Sequence, residues 1–293
     1  MTVPSTKTAE IMDGRTKNEV SSTKTAEIVD GRTENMKRIT IKVGSNVLTR
    51  PDGTLDITRM SALTDQIAEL HRRGLEIILV SSGAVASGRS EVHPDMELDS
   101  VAARQIFSAV GQAKLMNRYY DLFRSQGIVC GQVLTTKSSL ELPEHYENQK
   151  GCIESLLGCG IIPIVNENDT ISITELMFTD NDELSGWMAQ MMSCDMLVIL
   201  SNIDGLYDGD PSLESSRLIA EIRPDAADFS DCIKDGKSSF GRGGMKTKCG
   251  VAQKLAADGM PVVIANGKRD DVILRVIDGD PTLPCTRFVS ERI

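Results

Sequence analysis

The sequence predicts an α/β protein built on a mostly parallel central sheet with helices on both faces, and three observations carry the prediction. Short β-branched runs alternate with segments of helical period, the helical stripes stop at glycines that feed the next run, and the residues after the runs are rich in Gly, Ser, Asn and Asp. The runs are residues 39–43, 76–81, 128–134, 161–165, 196–200 and 261–265. Between the first two, Ile57, Met60, Leu63, Ile67 and Leu70 recur at helical spacing and stop at Gly74, which makes one strand–helix–strand unit. A second stripe, Ile106, Val110, Ala113, Met116, Tyr120 and Phe123, stops at Gly127 and feeds the third run. In such a sheet ligands sit outside the carboxyl ends of the strands. Four loops therefore mark where to look: VGSN at 43–46, SSGA at 81–84, NENDT at 166–170 and SNIDG at 201–205. Each alone is ordinary turn chemistry, but strand ends of one sheet converge in space.

Composition bounds the function. The 293 residues are 40% hydrophobic and 25% charged, enough apolar material for a sizeable core, and 42 acidic against 32 basic side chains give a net charge of -10. With no basic patch, nucleic acid is excluded as a partner. The longest apolar runs, 77–80 and 196–200, fall far short of the roughly 20 residues that cross a bilayer, so no membrane span is expected and the chain reads as cytoplasmic. Seven cysteines, at 130, 152, 159, 194, 232, 249 and 285, are scattered and contain no C-x-x-C pair, which argues against a disulfide framework or structural zinc. His71, His93 and His145 form no metal or nucleophile motif, and no side chain is assigned as a metal ligand.

Residues 5–16, STKTAEIMDGRT, return almost unchanged at 22–33. Two copies are too few for a solenoid, and the segment has little to bury. Residues 1–35 are thus expected to be a duplicated, disordered and dispensable tail, with one domain over 36–293 beginning at Met36.

Four segments carry candidate chemistry. Residues 81–90, SSGAVASGRS, nearly match a phosphate loop, with Gly83 and Gly88 correctly spaced, but AVAS reads as a helix start; Ser82, Gly83 and Ala84 are then the useful part. Residues 178–191, FTDNDELSGWMAQM, read as a buried helix beginning near Asp180, capped by Thr179 with Asp182 or by Asp180 with Glu183. Capping does not account for so many acids in a row, and Asp182 is the one expected to face a cation. Residues 241–248, GRGGMKTK, open a helix that places Lys248 on the apolar stripe of Met245, Ala252 and Leu255, where a lysine needs a partner or a ligand anion. Lys42, between Ile41 and Val43, is unremarkable on an exposed sheet face and costly on a covered one unless it meets an anion.

Taken in order, IKVGSNVL, VSSGAVASGR, IIPIVNENDTIS, FTDNDELS, LSNIDGLYDGDP and GGMKTK resemble the amino-acid kinase family over residues 37–277; NENDT and FTDNDELS point within it to the members that phosphorylate glutamate. The resemblance implies an α/β/α sandwich of three layers that transfers the γ-phosphoryl group of ATP, with Mg²⁺, to the side-chain carboxylate of L-glutamate, opening proline synthesis. Carried over by position, Lys42 and Lys248 flank the transferring phosphoryl group and Asp182 orients them. Ser82, Gly83, Asn166, Asp169 and Asn181 bind glutamate. Ser201 and Asn202, together with Lys42 and the stretch Arg242, Gly243, Gly244, Met245, Lys246, Thr247 and Lys248, contact the nucleotide. Family members often have Thr-Asp in place of Ser201-Asn202 and small residues in place of Arg242 and Lys246. Many also carry a further carboxyl-terminal RNA-modification-type domain, which this chain is expected to lack. Also implied are a homo-oligomer, feedback inhibition by proline, and functional coupling to glutamate-5-semialdehyde dehydrogenase. At this stage kinases of N-acetylglutamate, carbamate, aspartate or UMP, and a non-catalytic amino-acid or nucleotide sensor, remain open alternatives.

Overall fold

The computed structural model describes residues 36–172, 178, 180–224 and 244–290. The duplicated tail, Arg242 and Gly243 lie outside the described residues. In chain order the elements are β1 (Arg38–Val43), α1 (Ser45–Leu48), α2 (Ile57–Arg72), β2 (Glu76–Ser81), α3 (Ala84–Arg89), α4 (Ser100–Ser125), β3 (Cys130–Thr135), α5 (Lys137–Glu141), α6 (Pro143–Gly158), β4 (Ile162–Glu167), α7 (Asn181–Met191), β5 (Met196–Ser201), β6 (Glu221–Ile222), α8 (Met245–Ala257), β7 (Val262–Asn266), α9 (Val272–Ile277) and β8 (Cys285–Phe288). Among the described residues they form one 8-stranded sheet in the order β3-β4-β2-β1-β5-β7-β8-β6. All neighbours are parallel except β7 and β8. The six predicted strands are all present. The two short strands at the far edge carry no run long enough to read from sequence.

The pleat divides the core in two. Ile39, Ile41, Val43, Ile77, Leu79, Ile164, Val198, Leu200 and Val263 join one apolar cluster with residues of α2, α4 and α9. Ile78, Val80, Val165, Leu197, Ile199 and Ile264 join the other with α6, α7 and α8. Side chains alternate sides along each strand, so in β1 Thr40 and Lys42 point to the second face, the one covered by α7 and α8. Lys42 is therefore buried, at 4% exposure. The covered-sheet case is the one that holds.

One stripe reads differently in three dimensions. The buried face of α4 is Ser108, Gly111, Gln112, Leu115, Tyr119 and Phe123, while Ile106, Val110 and Tyr120 are exposed; of the predicted stripe only Phe123 is fully buried. The reason is the close crossing of α4 over α3. A Cβ on Gly111 would stand 1.8 Å from the Ala84 carbonyl oxygen, and one on Gly88 would stand 1.8 Å from that of Phe107. Backbone approaches of this kind need small residues, and further along the same face polar residues meet the site, so apolar spacing points to the wrong side. Gly88 is thus a packing glycine, in keeping with setting aside the phosphate-loop reading.

Candidate active site

The carboxyl ends of the parallel strands β1, β2, β4, β5 and β7 open on one edge, and the candidate residues gather there. Lys42 comes from β1, Asp182 from the first turn of α7 and Lys248 from the first turn of α8. Lys42 Nζ stands 2.5 Å from Asp182 Oδ1, and Lys248 Nζ donates to Asp182 Oδ2 at 2.8 Å. The carboxylate is fully buried and the lysines nearly so. One anion thus bridges two ammonium groups at the end of the sheet. Burial pushes Lys42 below the usual lysine range, with Lys248 adding to the effect and Asp182 opposing it. For Asp182 burial acts upward, but the two ammonium groups outweigh it and hold the carboxyl below its usual value. Gly44 lies close underneath: a Cβ there would be 3.5 Å from Lys42 Nζ and 3.2 Å from the Leu200 carbonyl oxygen.

Asp180 caps α7, its Oδ1 accepting the Asp182 and Glu183 N–H groups at 2.8 and 3.1 Å. This is the Asp180 half of the second predicted capping arrangement, and the Glu183 carboxylate accepts from Lys137 Nζ at 3.0 Å; Thr179, on which the first arrangement rests, lies outside the described residues. Asp180 Oδ2 is buried without a hydrogen-bond partner among the described residues. Burial, reinforced by Asp182, raises this carboxyl.

The neighbouring end of the site is built from amides and a hydroxyl. Asn181 Nδ2 donates to Ser82 Oγ at 2.9 Å and to Asn166 Oδ1 at 2.9 Å. Asn166, at the end of β4, takes the Glu167 N–H on the same oxygen at 2.9 Å and donates its Nδ2 to Gln112 Oε1 at 2.9 Å. Gly83, at φ 107 in the left-handed region, lets the chain turn from Ser82 into α3. Asp169 pairs with Arg104 of α4, which also reaches Glu167 Oε2 at 3.2 Å, and Gln105 of α4 donates to the Thr170 carbonyl at 2.9 Å. Glu167 Oε1 accepts the Phe178 N–H at 2.9 Å. Burial first, then the Asp169 carboxylate, push Glu167 up to about 7; burial also raises Asp169.

Sequence reading missed Arg104, Glu167 and Gln112. Its available signal was the spacing of Arg104, Ser108 and Gln112, four residues apart on one face of α4.

Towards the other side, Ser201 is buried at the end of β5 while Asn202 is exposed. Gly244 is the N-cap of α8, with Met245, Lys246, Thr247 and Lys248 in its first turn. Asp204, in the loop after β5, accepts from both Arg269 Nε and Nη2, at 2.6 and 2.7 Å, and from Asn266 Nδ2 at 3.1 Å. The Arg269 guanidinium holds Asp204 below the usual carboxylate range. Neither residue was singled out from sequence, since a single Asp in a turn is unremarkable until β7 brings Arg269 beside it.

Comparison with known proteins places this arrangement. A glutamate 5-kinase of Bacteroides thetaiotaomicron is 62% identical over 252 residues, which cover 86% of this chain and 70% of the relative. A glutamate 5-kinase of Symbiobacterium thermophilum is 44% identical, the match covering 83% of this chain and 93% of the relative. In fold, a carbamate kinase from Giardia lamblia bound to AMP-PNP superposes with a TM-score of 0.60 at 19% identity, covering 88% of this chain and 99% of that one. The amino acid kinase family model matches residues 37–266. With most of its length matched by that model and its strand ends carrying the motifs first read from sequence, the chain belongs to the amino acid kinase family.

Proposed function

We propose that this protein transfers the γ-phosphoryl group of ATP to the side-chain carboxylate of L-glutamate, giving L-glutamyl 5-phosphate, the step that opens proline biosynthesis. The observation that carries the reading is the buried Lys42–Asp182–Lys248 bridge at the sheet edge of a chain 62% identical to a glutamate 5-kinase. The acceptor carboxylate is already ionised at neutral pH, its reference pKa being about 4.3, so no general base is required. The barrier is electrostatic instead. Two unit charges about 4 Å apart repel by roughly 4 kcal/mol at an effective dielectric near 20, and each positioned ammonium offsets one such repulsion. Lys42 and Lys248 stabilise the charge of the moving phosphoryl group from two sides, and Asp182 holds both ammonium groups in place. Ser82, Gly83, Asn166, Asp169 and Asn181 hold glutamate; Ser201, Asn202 and residues 242–248 hold the nucleotide.

The residues present fit a magnesium ion that the nucleotide would carry in. Among the described residues no group of three or more His, Cys, Asp or Glu could form a protein cage, and Mg²⁺ on phosphate oxygens needs only one or two carboxylates. Asp180 Oδ2, buried and unpartnered among the described residues, is the oxygen suited to it. When bound, the ion would neutralise charge on the nucleotide phosphates.

No described helix is long and apolar enough to cross a membrane, and we place the enzyme in the cytoplasm. The exposed Ile106, Val110 and Tyr120 on α4 support a homo-oligomer. Proline, a cyclised relative of the substrate, acts as feedback inhibitor, and glutamate-5-semialdehyde dehydrogenase consumes the acyl phosphate.

Incubation with L-glutamate, MgATP and hydroxylamine tests the activity: the acyl phosphate is trapped as γ-glutamyl hydroxamate. Hydroxamate formed from N-acetylglutamate or aspartate in preference to glutamate would reject the assignment.

A further inference from the structure

The amide relay beside the lysine bridge has a direction, and one backbone group reveals it. The Glu167 N–H can only donate, so the Asn166 atom it meets at 2.9 Å is the carbonyl oxygen. The Asn181 atom 2.9 Å from that oxygen is then the amide nitrogen, and Asn166 Nδ2 points the other way, onto Gln112 Oε1 at 2.9 Å. Asn181 Nδ2 also donates to Ser82 Oγ at 2.9 Å. Two consequences follow from the inventory of donors and acceptors. Ser82, accepting from Asn181, can present its hydroxyl hydrogen to an acceptor such as a carboxylate, and Asn181 can present Oδ1 to a donor such as an ammonium. An amino acid carries both groups.

We propose that Gln112 of α4 is a positioning residue for the amino-acid substrate: by accepting Asn166 Nδ2 it clamps the relay so that Asn181 Oδ1 is held ready for the α-ammonium group. The proposal rests on the reading of this site as the one that takes glutamate. Gln112 is well placed to act as a clamp. It is 9% exposed, and the neighbouring Gly111 pins α4 against the backbone of Ala84, where a Cβ would approach the carbonyl oxygen to 1.8 Å. Without an acceptor at position 112, Asn166 is left with a buried donor unpaired at its far end. Its amide then gains by turning away to find a partner, and Asn181 loses its fixed orientation.

Gln112→Met, close in volume and lacking the acceptor, tests the clamp. The measurements are KM for L-glutamate and MgATP, kcat, melting temperature, and the inhibition constant of glutarate, which is glutamate without its α-ammonium. The expected result is a rise in KM for glutamate on the order of ten-fold, with KM for MgATP and kcat within about two-fold and glutarate, which lacks the contact to Asn181 Oδ1, weakened by clearly less than glutamate. Gln112→Glu, which keeps an acceptor oxygen at the same reach, should restore most of the loss. Should Gln112→Met fail to fold, Gln112→Asn, which withdraws the acceptor by one methylene, is read by the same ratio of glutamate to glutarate. An unchanged KM for glutamate overturns the proposal. So does equal weakening of glutamate and glutarate, or a parallel loss of kcat, both KM values and melting temperature. Failure of the wild-type protein to make γ-glutamyl hydroxamate would instead sink the underlying assignment of the site.

Discussion

The Lys42–Asp182–Lys248 bridge and the Ser82–Asn181–Asn166–Gln112 relay lie side by side, and consecutive residues of α7 serve them, Asn181 one and Asp182 the other. The bridge buries three formal charges from three elements. The relay is neutral, running from the end of β2 through α7 and β4 to α4. The difference suits the task proposed for each. Where charge moves during phosphoryl transfer, fixed ammonium groups in a water-poor setting are effective. Where a ground-state zwitterion is only recognised, neutral amides provide direction without the desolvation cost of further ions. Errors in the bridge should therefore cost far more than errors in the relay.

The largest expected effect tests the charged end. Lys42→Ala or Lys248→Ala lowers kcat on the order of a thousand-fold, by analogy with removing a cation from other phosphoryl-transfer sites; a fall below about ten-fold for both, roughly 1.4 kcal/mol each, removes them from the chemistry. Asp182→Ala strands two buried ammonium groups and should cost about 3–5 kcal/mol of folding stability in urea titration. A stability unchanged by that substitution would show that the bridge is not a buried ion network.

Next comes the buried acid that follows Asn166 in β4. Glu167 sits at about 7 instead of 4.5, so in that interval the native state binds more protons than the unfolded chain. Its contribution to stability is then fully present below about pH 4.5 and lost as pH rises through 7, on the order of 3 kcal/mol. Glu167→Gln, which keeps an acceptor for the Phe178 N–H, should flatten that part of the stability–pH curve. An unaltered slope between pH 5 and 7 in matched urea melts rejects this. The smallest effect belongs to the relay: Asn181→Ala raises KM for glutamate on the order of ten-fold, with nucleotide binding nearly unchanged. An unchanged glutamate dependence would take Asn181 off the substrate list.

Much of this was legible from residue order because local rules govern it. Strand and helix periods forecast all six long strands, and the N-cap at Asp180 follows from the short-range preference of aspartate for helix starts. Lys248 declared itself by falling on an apolar helical stripe. The face of α4 was misread for an equally local reason. Apolar spacing finds a buried face only when that face is apolar, and here it is made of small and polar residues pressed against α3 and the site.

Composition and pattern alone thus determined the class of fold, the edge of the sheet at which to look, and the residue types suited to handling a phosphoryl group. Tertiary structure decided which of those residues meet: that Lys42 lies under helices and not in water, that one carboxylate serves two lysines, and that Arg104 and Gln112 reach the carboxyl end of β4. These are contacts between segments far apart in the chain. Spacing along a chain constrains neighbours within a few residues, whereas long-range pairing is set only when the packed sheet and helices fix where each side chain ends.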